Sequence, residues 1–436
     1  MTGLSLMTQV RSVVVLLAAV AAAVAVVGCR GERLSIEPLE LSPVAATIQS
    51  ADAALAVDRA SGRLLLSWVG GDAKGWSLFL ARSADGGRSW STPALVAGGS
   101  NAPDEVHPHG ESSPRLVAGP RGRLALAWAS NVRIEGRKWP AAMVRLARSD
   151  DGGGTWSTPI TLNDDSAGAP VSHQFHGAAW QGDSGLVVAW LDERQAAAAV
   201  AEAGVQPIGG EPDATIYAAA SPDFGRSWAP NARLWGAVCP CCRVSLTRRP
   251  DGELTAAWRQ HFPGSVRDIV VAPISTAAGV PTRVHEDAWA YPGCPHTGPA
   301  VVAGHDGRVH TAWYSGKAGA SGVFYRWVGP VPTDSAGALV PVYTGDHVPT
   351  AHVAVAPLAD GGALIAYDVG PDGSRVIRLA RIAREGRRTA EVTVPGSHGG
   401  GYPQLVILPG GDAIVAYTVI AGDARGVKAA RVRAPG

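Results

Sequence analysis

Hydrophobic and polar positions recur along the chain in one pattern. Residues 124–128, Leu-Ala-Leu-Ala-Trp, return with small changes at 64–68, 186–190, 254–258, 309–313, 363–367 and 413–417. Each copy opens on an apolar residue, continues with small or β-branched ones, and ends on a large ring. Most are entered through a turn of Gly with a charged residue, such as Gly122-Arg123, Asp251-Gly252 or Gly411-Asp412. Before each copy lies a short run (residues 114–118, 299–303 or 403–407), and after it a third run (78–82, 143–148, 216–220, 269–272, 324–327, 377–380 and 427–431). Short β-rich runs bounded by Gly, Pro and Asp, without a helical period, predict an all-β chain. Self-similarity at this spacing predicts stacked units that share a core, and three or four antiparallel strands per unit is a propeller blade. Seven copies predict seven blades; absorbing one as an insertion leaves a six-bladed alternative. The last copy ends one strand short, and residues 34–41 are placed to supply that strand and close the ring, which removes exposed edges.

The first 28 residues predict an export signal. Arg11 precedes the apolar run 13–27, which is shorter than the about 20 residues a membrane span needs. Val26-Val27-Gly28-Cys29 closes that run and resembles a bacterial lipobox, which implies cleavage before Cys29 and lipid attachment to its thiol. The expected organisation is a signal peptide over 1–28, a lipid-anchored tether over 29–41 and a propeller over 42–436. The expected location is the cell envelope outside the cytoplasm, with the membrane met through the lipid. Charge adds one exclusion. Lys and Arg total 38 against 37 for Asp and Glu, so no basic field favours nucleic acid.

Three segments read Ser-x-Asp-x-Gly-x-x-Trp: Ser83 to Trp90, Ser149 to Trp156 and Ser221 to Trp228. They resemble the Asp box, or BNR repeat, of the sialidase superfamily, and each directly follows a third run. In such a box Asp accepts from turn amides, Gly supplies a backbone conformation others avoid, and Trp pins the turn. Asp85, Asp151 and Asp223 are therefore read as structural.

The resemblance implies an exo-sialidase type of glycan hydrolase: an arginine triad for a carboxylate, a Tyr nucleophile helped by Glu, and an Asp acid/base. Arg suits the first task because its planar fork meets a carboxylate bidentately. The candidates here are Arg115, Asp192, Glu193, Arg194 and Arg243, with Arg267, Asp268 and Tyr402 nearby in the pattern. The Arg-Ile-Pro motif expected in the first blade is missing.

A second constellation competes with the first. The four cysteines after Cys29 are Cys239, Cys241, Cys242 and Cys294, each just before the first strand of a unit. His109, His176, His296, His352 and His398 occupy the same slot in other units. In a propeller that slot converges on the axial mouth. Thiolate with imidazole favours copper or zinc over calcium or magnesium, so these nine residues form a candidate metal site and the chain a metal-binding or redox-associated module. In an exported chain disulfides are the rival reading, with Cys239 or Cys242 bonding Cys294. A rigid scaffold for a protein partner is the third function the pattern allows.

Overall fold

The computed structural model describes residues 33–72, 75–98, 105–133, 135, 140–165, 171–203, 213–274, 279–329, 335–370 and 374–433. The signal and lipobox readings fall outside them. Every first, second and third run expected from the pattern is a strand, and each unit gains a fourth strand by antiparallel pairing.

The described residues carry seven such four-stranded sets. Their innermost strands are Gln49–Val57, Arg115–Ala118, His173–Gln181, Ser245–Arg248, Ala300–Ala303, Val353–Pro357 and Gly400–Ile407. Each innermost strand touches the next in chain order, and the seventh touches the first, so they form a closed inner wall. The sets are called the first to seventh blades below, in that order. The ring is closed by Ser35–Leu39, which pairs with Ala424–Arg433 from Ser35↔Arg433 to Leu39↔Ala429. That strand lies inside the stretch assigned above to the tether, so the folded part begins before residue 42.

The repeated ring residue explains why the blades adhere. Trp68, Trp190, Trp258, Trp313 and Tyr367 are fully buried, and Trp128 and Tyr417 nearly so. Each removes on the order of 150–250 Å² from water, about 4–6 kcal/mol of transfer free energy as an upper bound. The Ala beside each ring lets the sheets come together around it. The third and fourth blades are also joined edge to edge: Val238 pairs with Gln260, and Cys239 N donates to Arg259 O at 3.0 Å.

The three boxes are structural hairpins between third and fourth strands. Asp85 Oδ1 accepts from Arg88 N and Ser89 N at 3.0 and 2.9 Å, and Ser83 Oγ donates to it at 2.8 Å. These bonds, from Ser89 above all, hold the Asp85 carboxyl well below the usual carboxylate range. Asp151 and Asp223 repeat the pattern. Where the first two boxes place Gly86 and Gly152 at φ +69° and +73°, the third places Phe224 at +58°. Its buried ring fills the space left by Gly119, where an added Cβ would lie 2.3 Å away.

One element departs from the all-strand expectation. Arg194–Ala203 is an α-helix. A run of Ala with high intrinsic propensity makes it, and Asp192 Oδ1 accepts from Arg194 N at its start.

Candidate functional site

Seven strand entrances meet at the inner wall. On the first, third and seventh blades the innermost strand breaks register at the same place: between Ala51 and Ala54, Gln174 and Gly177, and Gly401 and Gln404. Each break holds a non-Gly residue with left-handed backbone: Asp52 (φ 54°), Phe175 (57°) and Tyr402 (55°); His296 (49°) stands before the fifth blade. Such a conformation costs about 1–3 kcal/mol and persists only where the surroundings fix it.

The surroundings are a buried polar hub. Glu111 and Arg243, from the second and fourth blades, pair at 2.9 Å with both side chains more than nine-tenths buried. Glu111 also accepts from Arg243 N at 3.2 Å and from Gly298 N of the fifth blade. Arg243 donates onward to Val353 O of the sixth blade at 2.7 Å. Asp52 accepts from His109 N, and its own N donates to Thr418 Oγ1 at 3.0 Å. Four blades are thus tied together by one ion pair, which satisfies most of the lone pairs its burial strips of water. Gly298 has no room to change: an added Cβ would lie 2.5 Å from Arg243 O and 2.7 Å from its Cγ. Gly298→Ala is expected to cost about 1–3 kcal/mol, seen as a lowered thermal midpoint.

Beside the pair are groups whose partners are incomplete. Arg115 Nε donates to His176 O at 3.2 Å, while its buried Nη2 has no hydrogen-bond partner among the described residues. Burial, and then Arg243, pull its pKa down to about 9, against the attraction of Glu111 and Asp52. Burial pushes the Asp52 carboxyl up to about 6, against His109 N, Arg425 and Arg115. Tyr402 is pushed up to about 12 by burial, with Glu111, Asp368 and Asp52 adding to it. Its ring lies over Gly110, where a Cβ would come within 2.5 Å, and 4.0 Å from the His352 ring centroid.

The cysteines lie next to this hub. Cys241 and Cys294 are disulfide-bonded, with Cα atoms 6.0 Å apart. Cys239 and Cys242 are free, buried, and 3.3 Å apart at sulfur. The Cys242 hydrogen bond, with Arg267 and Arg259, lowers the Cys239 pKa despite burial; burial raises that of Cys242.

A model of the BNR repeat-like domain matches residues 62–280, half of the 436-residue chain. The chain belongs to the BNR repeat-like domain family. No curated protein matches it. Among solved structures, a Dyadobacter fermentans protein of unknown function is 14% identical, with 93% of this chain and all of that one covered at a TM-score of 0.51. An ulvan lyase of polysaccharide lyase family PL25, bound to a repeat of glucuronate and rhamnose 3-sulfate, is 10% identical, with 87% and 93% covered at 0.55. A Ruminococcus gnavus intramolecular trans-sialidase is 13% identical, with 88% and 94% covered at 0.47. At these identities the likeness is one of fold alone.

Within this BNR propeller the expected residues separate. Arg115 and Arg243 meet at the hub. Asp192, Glu193 and Arg194 form another network: Asp192 accepts from His173, Trp190 and Arg194, each at 2.9 Å, and Arg194 reaches Asp164 at 3.0 Å. There Asp192, which burial alone would raise, is lowered by His173 and Arg194. Glu193 accepts from Ser172 N. Arg267 and Asp268 lie on Val266–Ile274, Arg267 close enough to Cys239 to act on it electrostatically.

Of the nine metal candidates, five come together in two overlapping groups, Cys239/Cys241/Cys242 and Cys241/Cys294/His296, each within 4.8 Å. The other four belong to neither. His176 Nε2 faces Ala127 O, and burial takes its pKa down to about 3. His352 is committed to Asp368 and His296 O, His109 accepts from Ser112 N, and His398 is exposed. Cys241, rather than Cys239 or Cys242, bonds Cys294; Cys239 is held in the sheet join with the fourth blade, and Cys242 Sγ lies 3.3 Å from Cys239 Sγ.

Two hub residues escaped the sequence reading. Glu111 stands four residues before Arg115 in the informative slot, and Asp52 is a carboxylate inside an apolar strand, which is itself a signal.

Proposed function

We propose that the hub is the site of a glycan-directed hydrolase that takes an acidic sugar. The observation that supports this most is the buried, unpaired Nη2 of Arg115, next to Arg243 and near Asp52. A buried cation with an unused donor suits a ligand carboxylate, which it meets by charge-assisted hydrogen bonds. Asp52, with its proton held to about pH 6, is the group suited to protonate a glycosidic oxygen. Glu111, spent on Arg243, is not free to serve as a base. Tyr402 stays protonated and is suited to donate a hydrogen bond to the sugar rather than to attack it. The family membership and the fold shared with polysaccharide-acting proteins are consistent with this reading.

The test uses fluorogenic sialosides and glucuronides beside their neutral counterparts. Release from an acidic sugar, falling as pH rises through about 6, is expected. Arg115→Ala is expected to lower kcat/KM by about 100-fold for the acidic sugar. Equal release from neutral sugars, or indifference to Arg115→Ala, overturns the reading.

A further inference from the structure

The Cys239–Cys242 pair has no role in the hub, and its chemistry is distinct. Four features define it. The sulfurs are 3.3 Å apart and both residues are fully buried. Both come from one short turn, Cys239-Pro240-Cys241-Cys242, whose first residue is pinned by the sheet join to Arg259 O. Arg259 and Arg267 lie close enough to Cys239 to act on it electrostatically, and Arg267 Nη1 is buried without a hydrogen-bond partner among the described residues. Finally, Cys241 Sγ, held in its disulfide with Cys294, stands 4.0 Å from Cys239 Sγ and within 4.8 Å of the exposed His296 imidazole, which places the pair close to a solvent-facing group.

We propose that Cys239 and Cys242 form a two-thiolate site for a soft monovalent cation, Cu(I). The number of donors decides the ion. Zinc in a structural site takes four ligands; here the Cys241–Cys294 disulfide removes two sulfurs from the set. Soft thiolates select Cu(I), which two of them satisfy. Two thiols and Cu(I) give a bis-thiolate of charge −1 and release two protons. The excess negative charge falls beside Arg259 and Arg267. The site is independent of the saccharide reading.

The experiment titrates the intact, anaerobically purified protein with Cu(I) against a chromophoric Cu(I) chelator, and counts thiols under denaturing conditions before and after. One Cu(I) per chain is expected, with both free thiols protected from alkylation. Cys239→Ser and Cys242→Ser are each expected to weaken binding by at least 100-fold. Cys241→Ser/Cys294→Ser, which lacks the disulfide, is expected to keep it. Two free thiols that take up no Cu(I), a Cys239–Cys242 disulfide in peptide mapping, or Zn(II) bound as tightly as Cu(I) each overturns the proposal. The wild-type titration decides the matter even where a variant fails to fold.

Discussion

Arg243→Met is expected to destabilise the fold by about 3–5 kcal/mol, the cost of leaving one partner of a buried ion pair uncompensated. Methionine fills similar space, so packing is not the main loss. What remains is a Glu111 carboxylate, 2% exposed, with backbone donors only. Val353 O loses its donor as well. Glu111→Gln is expected to cost a similar amount for the opposite reason, since it leaves Arg243 and Arg115 together without their shared anion. The double variant Glu111→Gln/Arg243→Met is expected to cost less than the sum, because neither charge is then stranded. Denaturant unfolding, read as a rate where refolding is incomplete, checks all three. A loss below about 1 kcal/mol for Arg243→Met would show that the two side chains do not meet across the ring.

This cross-ring pair also shows where the sequence stops being legible. The blades were readable because each is local: turn, apolar run and terminal ring fall within one unit, and residues 34–41 could be matched to the missing strand by counting. The Asp boxes were readable for the same reason. Arg243 and the cysteines stand just before an innermost strand and Arg115 opens one, which is why the sequence could group them. The pairing within the mouth was not readable. Glu111 and Arg243 are 132 residues apart, and no local pattern says which of several charges at a common hub will bond. The histidines illustrate it further. His176 and His352 stand in the same slot as His296, yet the first turns to a backbone carbonyl of the second blade and the second to Asp368. Cys239 is kept from the disulfide by the edge-to-edge join of the third and fourth blades, which among the described residues no other adjacent pair makes. Asp192 lies apart from the hub, because it caps the helix that follows it and accepts from Arg194 N.

Asp52→Asn is expected to stabilise the protein at pH 7 while removing the activity proposed for the hub. The carboxyl titrates at about 6 in the fold against 3.8 as its ordinary value. A raised value means that the folded state holds the proton more tightly. Its contribution is therefore fully present below about pH 4 and is lost as pH rises through about 6. That rise corresponds to roughly 3 kcal/mol across that window. Asparagine keeps an acceptor for His109 N and carries no charge to bury, so its stability should not fall over the same range on this account. The two proteins should coincide near pH 4 and diverge by about 2–3 kcal/mol at pH 7, measured by parallel unfolding curves. Parallel pH profiles, or a variant less stable at pH 7, would mean that Asp52 is not the strained carboxylate of the hub. A carboxylate that weakens the ring at neutral pH, on a residue also held at φ 54°, is a cost twice over. Such costs persist where function requires them, and loss of acidic-sugar cleavage in the more stable variant would connect this one to chemistry.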